Sequence, residues 1–380
     1  MARKSDSNIR NPFIYQGYVD PRYFCDRLEE TEELIANLQN GRNTTLISPR
    51  RMGKTGLIQN AFYRIKEADK NAICIYIDIF PTKNQHDFVQ LFGTAIAQNA
   101  LSYQQKTFKR LLEFFGSWRP VFSADPLTGM PTVSVSIEPS QSVMTIKTIF
   151  DFLNQSRNKV YIAIDEFQQI SYYPEQGLEA QLRSYIQFSP NVSFIFSGSK
   201  QHLMAQMFQS PERPFYQSTA SMGLTPLHEE VYYDFANRFF TAKRGSITRE
   251  VFSTIYQRFS GITQNIQQIL NRLYEVERNV ESEQQVNEAI WHIVHRNSMQ
   301  YETLVGFLTD NQLSLLKAIA KSERVASPQS NDFLKQYELP SASSVKTALT
   351  ALLDKDLIYR DASGYWVYDR FFNLWLKQLV

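Results

Sequence analysis

Ser48-Pro49-Arg50-Arg51-Met52-Gly53-Lys54-Thr55 is the stretch that decides how the rest of this chain is interpreted. It follows the short apolar run Thr44-Thr45-Leu46-Ile47 and precedes a segment in which apolar residues recur at helical spacing. A strand, a turn, Gly-Lys-Thr and a helix in this order are typical of a phosphate-binding loop, the Walker A motif. We therefore expect this stretch to bind the phosphates of a nucleotide.

The residue types of the loop suit that chemistry. Successive backbone N–H groups and the N-terminus of the following helix surround an anion. Lys54 is expected to reach the β- and γ-phosphates and to act in catalysis, and the Thr55 hydroxyl is expected to bind Mg²⁺. Ser48 stands where the general pattern has glycine, and serine is small enough to be tolerated there. The expected nucleotide contacts are Ser48, Pro49, Arg50, Arg51, Met52, Gly53, Lys54, Thr55 and Gly56.

The composition is that of a folded protein without a strong overall charge. Hydrophobic residues make up 43% of 380 positions, enough for the cores of two or three domains. The formal net charge of +2 predicts no general attraction to nucleic acid or to a membrane surface. The 2 cysteines support neither a disulfide framework nor a structural zinc site. Because no segment resembles a signal peptide or a membrane span, a cytoplasmic location away from membranes is expected.

Apolar runs alternate with helical segments through the first part of the chain. Further strands are predicted at residues 72–77, 160–164, 192–197 and 220–224, and helices at 23–38 and 86–115. Strands separated by helices indicate an α/β fold with a parallel sheet, whose ligands bind beyond the carboxyl ends of the strands. Between residues 119 and 140, prolines bracket an alternating segment that predicts a β-hairpin insertion.

The pattern becomes helical from residue 226 and typical of a winged helix from about residue 306. Thr309 and Gln312 form a capping box that predicts a helix start. A hairpin across residues 357–368, with Ala362-Ser363-Gly364 at its tip, supplies the wing. The expected organisation is an N-terminal tail (1–22), a P-loop core (23–225) with the hairpin insertion, a helical lid (226–305) and a winged-helix domain (306–380).

A second nucleotide motif follows the strand predicted at 160–164. Asp165 and Glu166 form a Walker B pattern, in which Asp165 is expected to bind Mg²⁺ and Glu166 to activate the attacking water. Ser199, after the next strand, is the first candidate for a catalytic side chain that senses the γ-phosphate or orients water, and Ser197 is the second. A turn that simply requires Gly198 explains this segment equally well.

An arginine commonly stabilises the charge that develops on a transferred phosphoryl group. The candidates are Arg213, Arg183 and the loop pair Arg50 and Arg51. Each also suits an ordinary surface or ion-pair role, and the sequence does not choose among them.

These motifs together resemble the archaeal-type ATPase family, in the STAND branch of AAA-like P-loop proteins related to the origin-recognition ATPases. The resemblance runs from about residue 23 to the C-terminus. It is carried by Phe24-x-Asp26-Arg27-x-Glu29-x-x-Glu32-x-Leu34, the Arg-Arg-x-Gly-Lys-Thr loop, Ile164-Asp165-Glu166-Phe167 and Phe196-Ser197-Gly198-Ser199. It implies ATP as the nucleotide and, by analogy, makes Phe24 and Arg27 candidate contacts for the base or ribose.

Two segments depart from the family pattern. Pro214-Phe215-Tyr216-Gln217-Ser218 lacks an arginine that members often carry there. Residues 260–265 of the lid contain one glycine and no proline, where a Gly-Gly-x-Pro sensor is common. Nucleotide binding is therefore better supported than fast hydrolysis.

The winged helix has little of the basic surface expected of a strong DNA binder. Its predicted recognition helix carries one base, Lys346, before Asp354, and the wing balances Arg360 and Arg370 with two aspartates. Contact with a protein, or regulation within the chain, is at least as well supported as contact with DNA. The buried stripe of the recognition helix is predicted to be Val345, Ala348, Leu349 and Leu352.

Two functions from different classes follow from these features. The first is a Mg²⁺-dependent ATP hydrolase, slow or dependent on a partner, that works as a nucleotide-driven switch on the lid and winged helix. The second is a nucleotide-stabilised module that binds DNA or a protein and hydrolyses ATP negligibly. A protein partner or self-association fits both.

Overall fold

The computed structural model of the protein describes residues 9–103, 119–124, 131–138 and 142–379. Over these residues the chain divides into two compact units. One unit is Gln16–Leu227, and the other combines residues 9–15 with residues 228–379. No helix in these ranges is long and apolar enough to cross a lipid bilayer.

The first unit is built on a parallel sheet. Its strands are β1 (Thr44–Ile47), β2 (Ile73–Asp78), β3 (Arg119–Ala124), β4 (Pro131–Ser136), β5 (Val160–Asp165), β6 (Val192–Gly198) and β7 (Ala220–Gly223). Within the described residues, β2, β5, β6, β1 and β7 form a five-stranded sheet in that order, and each neighbouring pair is parallel. β3 and β4 pair antiparallel, as predicted for the hairpin, and residues 125–130 lie outside the described residues.

Helices cover both faces of this sheet. They are α1 (Leu28–Gln39), α2 (Lys54–Ala68), α3 (Gln85–Tyr103), α4 (Ser142–Asn154), α5 (Leu178–Ile186) and α6 (Gln201–Gln209). On one face Leu34 of α1 and Leu57 of α2 belong to the same buried cluster as Leu46 of β1. On the other face, Phe92 of α3 and Phe150 of α4 share a cluster with strand residues. Burial on both faces is why the strands are almost continuously apolar, and the predicted α/β fold is confirmed.

The first predicted helix starts later than expected. The pattern predicted a helix from residue 23, but α1 begins at Leu28 because Asp26 and Arg27 have φ values of 51° and 62°. Such left-handed backbone interrupts a helix. Pro21–Tyr23 instead forms a single 3₁₀ turn. The helix predicted over 86–115 is present over Gln85–Tyr103, and its remainder lies outside the described residues.

The second unit contains the lid and the winged helix. Its lid elements are α7 (Glu229–Ala242), β8 (Ser246–Ile247), α8 (Arg249–Arg258), α9 (Thr263–Val276), β9 (Asn279–Val280) and α10 (Glu283–Gly306). The winged helix consists of α11 (Asp310–Ser322), α12 (Asn331–Gln336), α13 (Ala342–Asp354), β10 (Ile358–Asp361), β11 (Gly364–Val367) and α14 (Arg370–Gln378). The capping box of Thr309 and Gln312 starts α11 as predicted. Phe259 of the lid packs on Phe371 of the winged helix, with ring centroids 4.9 Å apart.

Candidate nucleotide site

The predicted phosphate-binding loop connects β1 to α2 at the carboxyl end of the sheet. Gly53 precedes α2 with a φ of 96°, a conformation that residues with side chains rarely adopt. Ser48 is fully buried, and its backbone N–H donates to the carbonyl of Gly198 in β6 at 3.4 Å. The serine that replaces the usual glycine therefore extends the pairing of β1 with β6 by one residue.

The Lys54 ammonium group folds back on the loop. Its Nζ donates to the carbonyl oxygens of Ser48 at 2.8 Å and Pro49 at 3.1 Å. Burial lowers the pKa of Lys54, while the carboxylates of Glu166 and Asp165 act in the opposite direction. A bound phosphate would bring further negative charge to this buried cation, which is the role predicted for Lys54.

The two predicted metal ligands are brought together. Thr55 Oγ1 donates to Asp165 Oδ2 at 2.9 Å, although the two residues are 110 positions apart in the chain. The second carboxylate oxygen, Oδ1, accepts the backbone N–H of Glu166 at 3.0 Å. A hydroxyl and a carboxylate at the end of a buried strand are hard oxygen donors that suit Mg²⁺. The donor set therefore fits the expected ion.

Glu166 is held by side chains from two neighbouring segments. It follows β5 with a φ of 54°, and its Oε2 accepts hydrogen bonds from Ser199 Oγ at 2.7 Å and from the Gln168 amide. Arg50 Nε lies 3.5 Å from the same Ser199 hydroxyl. Ser197 is fully buried in β6, and its Oγ has no partner within the described part of the chain. The structure thus brings the first serine candidate, and not the second, to Glu166.

Phe24 packs over the first turn of α2. A Cβ placed on Gly56 would lie 3.0 Å from Phe24 Cε2, so this contact depends on glycine. Tyr18 meets the Phe24 ring edge to face at a centroid distance of 6.0 Å. Phe24 is therefore close to the phosphate loop, and its contact with a base or ribose stays a prediction.

Arg27 is buried beside the phosphate loop. The residue is 3% exposed, and its Nη1 contacts Glu30 Oε1 at 2.7 Å. Its Nη2 donates to the carbonyl of Met52 in the loop at 3.3 Å and to that of Thr225 at 2.7 Å. These internal partners hold the guanidinium against the loop, and a contact of Arg27 with a base or ribose stays a prediction.

The arginine candidates separate into two groups. Arg213 forms an ion pair with Glu179, and Arg183 donates to Gln187 one turn along α5 at 3.2 Å. Arg50 contacts Ser199, a predicted catalytic residue. Its guanidinium also lies 5.7 Å from the centroid of the exposed Phe80 ring.

Three polar residues at the site were not predicted, namely Tyr76, Asp78 and Gln168. Tyr76 OH donates to Asp165 Oδ2 at 2.5 Å. Asp78 is the direct neighbour of Asp165 across β2 and β5. Partial burial of its carboxyl group, together with the charges of Asp165 and Glu166, raises the pKa of Asp78. The polar end of β2 was visible in the sequence, but its proximity to Asp165 depends on the order of strands.

The fold is a parallel sheet flanked by helices, of the P-loop type, followed by a helical lid and a C-terminal winged helix. A family model described as a probable winged helix domain matches residues 299–378. A search of curated proteins found no match.

Several solved structures match along almost the full length of this chain. The Walker-type ATPase of Pyrococcus abyssi is 16% identical, covers 96% of this chain and 99% of its own, and has a TM-score of 0.66. The ORC2 protein of Aeropyrum pernix, solved as ADPNP–ADP complexes, is 14% identical over 97% of this chain and 98% of its own, with a TM-score of 0.58. The ORC1 protein of the same organism, solved in complex with DNA, is 14% identical over 93% of each chain, with a TM-score of 0.52. The predicted resemblance to archaeal-type ATPases is thereby confirmed at the level of the fold.

The winged helix neutralises part of its own positive charge. Arg324 contacts Asp361 at 2.6 Å, and Arg370 contacts Glu323 at 2.7 Å. Glu323 also pairs with Lys377. Lys346 is exposed on α13, the predicted recognition helix, whose predicted apolar stripe is buried. The surface charge that remains is therefore modest.

Proposed function

We propose that this protein is an ATP-binding, Mg²⁺-dependent ATPase of the AAA-like STAND type that acts as a nucleotide-driven switch on its winged helix. The observation that carries the proposal is the hydrogen bond from Thr55 to Asp165, because it joins the two nucleotide motifs at one point. Glu166 and Ser199 lie directly beside that point. The agreement of two motifs distant in sequence is much stronger support than either motif alone.

Each residue has a defined task in this proposal. Lys54 and the loop N–H groups bind the β- and γ-phosphates, and Thr55 with Asp165 would hold Mg²⁺. The ion, when bound, neutralises charge that develops on the phosphates. Glu166 takes a proton from the attacking water on Oε1, while Ser199 and Gln168 hold the carboxylate through Oε2.

Two substitutions separate binding from hydrolysis. Lys54→Ala is expected to abolish ATP binding, whereas Glu166→Gln is expected to retain binding and to lower phosphate release by about 10²-fold or more. Lys66→Ala on the same helix and Glu212→Gln, an exposed glutamate, are matched controls. The measurements are nucleotide binding by calorimetry and phosphate release under saturating ATP. Undiminished ATP turnover in both Lys54→Ala and Glu166→Gln would contradict the proposal.

The second candidate function is a nucleotide-stabilised binding module with negligible turnover. The observation that favours it is the engagement of Glu166 Oε2 by two donors, since these hydrogen bonds compete with an attacking water for that oxygen. DNA is one candidate ligand of such a module, by analogy with the Aeropyrum pernix ORC1 complex, and a protein is the other. Thermal stabilisation by ATP without phosphate release, with and without duplex DNA, would favour this function over hydrolysis.

A further inference from the structure

Tyr76 places a hydroxyl group on the carboxylate that joins the two nucleotide motifs. It lies on β2 opposite Ala163 of β5, two residues before the paired Asp78 and Asp165. Its OH is 2.5 Å from Asp165 Oδ2, the same oxygen that accepts the Thr55 hydroxyl at 2.9 Å. Two hydroxyl groups from different elements therefore converge on one carboxylate oxygen.

The remaining contacts leave this carboxylate little freedom. Asp165 is 5% exposed, and its other oxygen accepts the Glu166 backbone N–H at 3.0 Å. Both oxygens are thus hydrogen-bonded. Tyr76 is the partner in this set that belongs neither to the Walker A nor to the Walker B motif.

The hydroxyl group can be separated from the rest of the tyrosine side chain. The Tyr76 ring packs against the buried cluster on the α2 face of the sheet. Tyr161 of β5 belongs to the same cluster. Phenylalanine would preserve ring packing at either position, so a difference between the two substitutions reports on the hydrogen bond to Asp165.

We propose that Tyr76 is a positioning residue for the metal site, holding Asp165 so that its carboxylate and the Thr55 hydroxyl are presented together to Mg²⁺. This inference rests on the proposed function, because it assumes that Mg²⁺ and ATP bind here. Partners that orient a metal ligand commonly contribute about 10–100-fold to metal affinity. Tyr76→Phe is therefore expected to raise the Mg²⁺ midpoint, the Mg²⁺ concentration that gives half of the maximal thermal stabilisation, by about 10-fold or more.

The test measures the thermal unfolding midpoint of the full chain with a non-hydrolysable ATP analogue at fixed concentration while Mg²⁺ is varied. Wild type, Tyr76→Phe and Tyr161→Phe are compared, and each is also measured with the analogue in EDTA. The expected result is a raised Mg²⁺ midpoint in Tyr76→Phe alone, with metal-free nucleotide binding unchanged in all three proteins.

The outcomes separate the inference from the function on which it rests. Equal Mg²⁺ midpoints in the two variants would overturn the positioning role while the ATP site stands. Loss of metal-free nucleotide binding in Tyr76→Phe would also overturn it, since this would show a general structural effect. No stabilisation of wild type by nucleotide under any condition would overturn both.

Discussion

Arg27 joins the start of α1 to the phosphate loop through one guanidinium group. One guanidinium contacts Glu30 and two backbone carbonyls, and it is almost completely buried. Burying a cation costs free energy unless acceptors pair with its N–H donors. Removing the cation leaves those buried acceptors without a partner and destabilises the folded protein. The same contacts place Arg27 directly against Met52, the residue before Gly53 of the phosphate loop. Its substitution should therefore disturb both stability and nucleotide binding.

We expect Arg27→Gln to destabilise the protein by about 2–4 kcal/mol, because it leaves the two carbonyls and Glu30 without their cation. Arg22→Gln is the control, since that side chain is 61% exposed in its ion pair with Asp20 and is expected to contribute less than about 1 kcal/mol. Thermal unfolding of the full chain measures both. Similar shifts for the two variants would contradict the internal role of Arg27.

The wing, the hairpin of β10 and β11, is stabilised by the charged side chain of Asp361. Asp361, at the end of β10, accepts hydrogen bonds from Arg324 at 2.6 Å and from the Trp366 indole at 3.0 Å. The Arg324 guanidinium also lies 4.9 Å from the centroid of the Trp366 ring. Burial alone would raise the pKa of Asp361, but hydrogen bonds from Ser363 and Arg324 outweigh it and lower the pKa to about 2.

This lowered pKa makes the wing sensitive to acid in a defined range. Because the folded pKa is below the unfolded value of about 3.9, the stabilisation is complete above that value and is lost as the pH falls towards 2. Asp361→Asn should therefore lower the thermal unfolding midpoint at pH 7. The difference in midpoint between this variant and wild type should become smaller as the pH falls below about 4. Thermal unfolding of both proteins between pH 2 and pH 7 tests this prediction. A difference in midpoint that does not change with pH would contradict the lowered pKa of Asp361.

Elements that depend on a short local sequence pattern were predictable from the sequence. The strand before Asp165 and the helix capped by Thr309 are examples, because apolar runs and capping residues act over a few positions. The start of α1 was not predictable, since the left-handed backbone at Asp26 and Arg27 accompanies contacts that Arg27 makes with distant residues. The position of Tyr76 beside Asp165 could not be predicted from the sequence for a related reason. Nothing local to β2 shows that β5 lies beside it.

At the scale of the whole molecule, residues 9–15 belong to the unit that contains the lid and not to the core that follows them in sequence. Phe13 is fully buried in the lid. The rings around it, with centroids 5.5 to 6.3 Å away, are Phe235, Phe239, Phe240 and Tyr274. Asn11 donates to the Asn271 carbonyl at 2.8 Å, and the Asn271 amide donates to the Phe13 carbonyl at 2.9 Å. The chain therefore passes between the two compact units at residues 15–16 as well as at residues 227–228.

This anchoring predicts that removal of one ring loosens the lid. Phe13→Ala deletes a fully buried phenyl group, which typically costs about 3–5 kcal/mol, whereas Phe13→Leu retains most of the apolar contact and should cost less. Val19→Ala, at a position 45% exposed, is the control and should change stability by about 0.5 kcal/mol or less. Thermal unfolding measures the loss, and limited proteolysis shows where it occurs. If Phe13 anchors the segment, cleavage in Phe13→Ala concentrates between residues 9 and 16, because a segment released from the lid exposes its backbone there. Unchanged stability and cleavage would show instead that the lid folds without this segment.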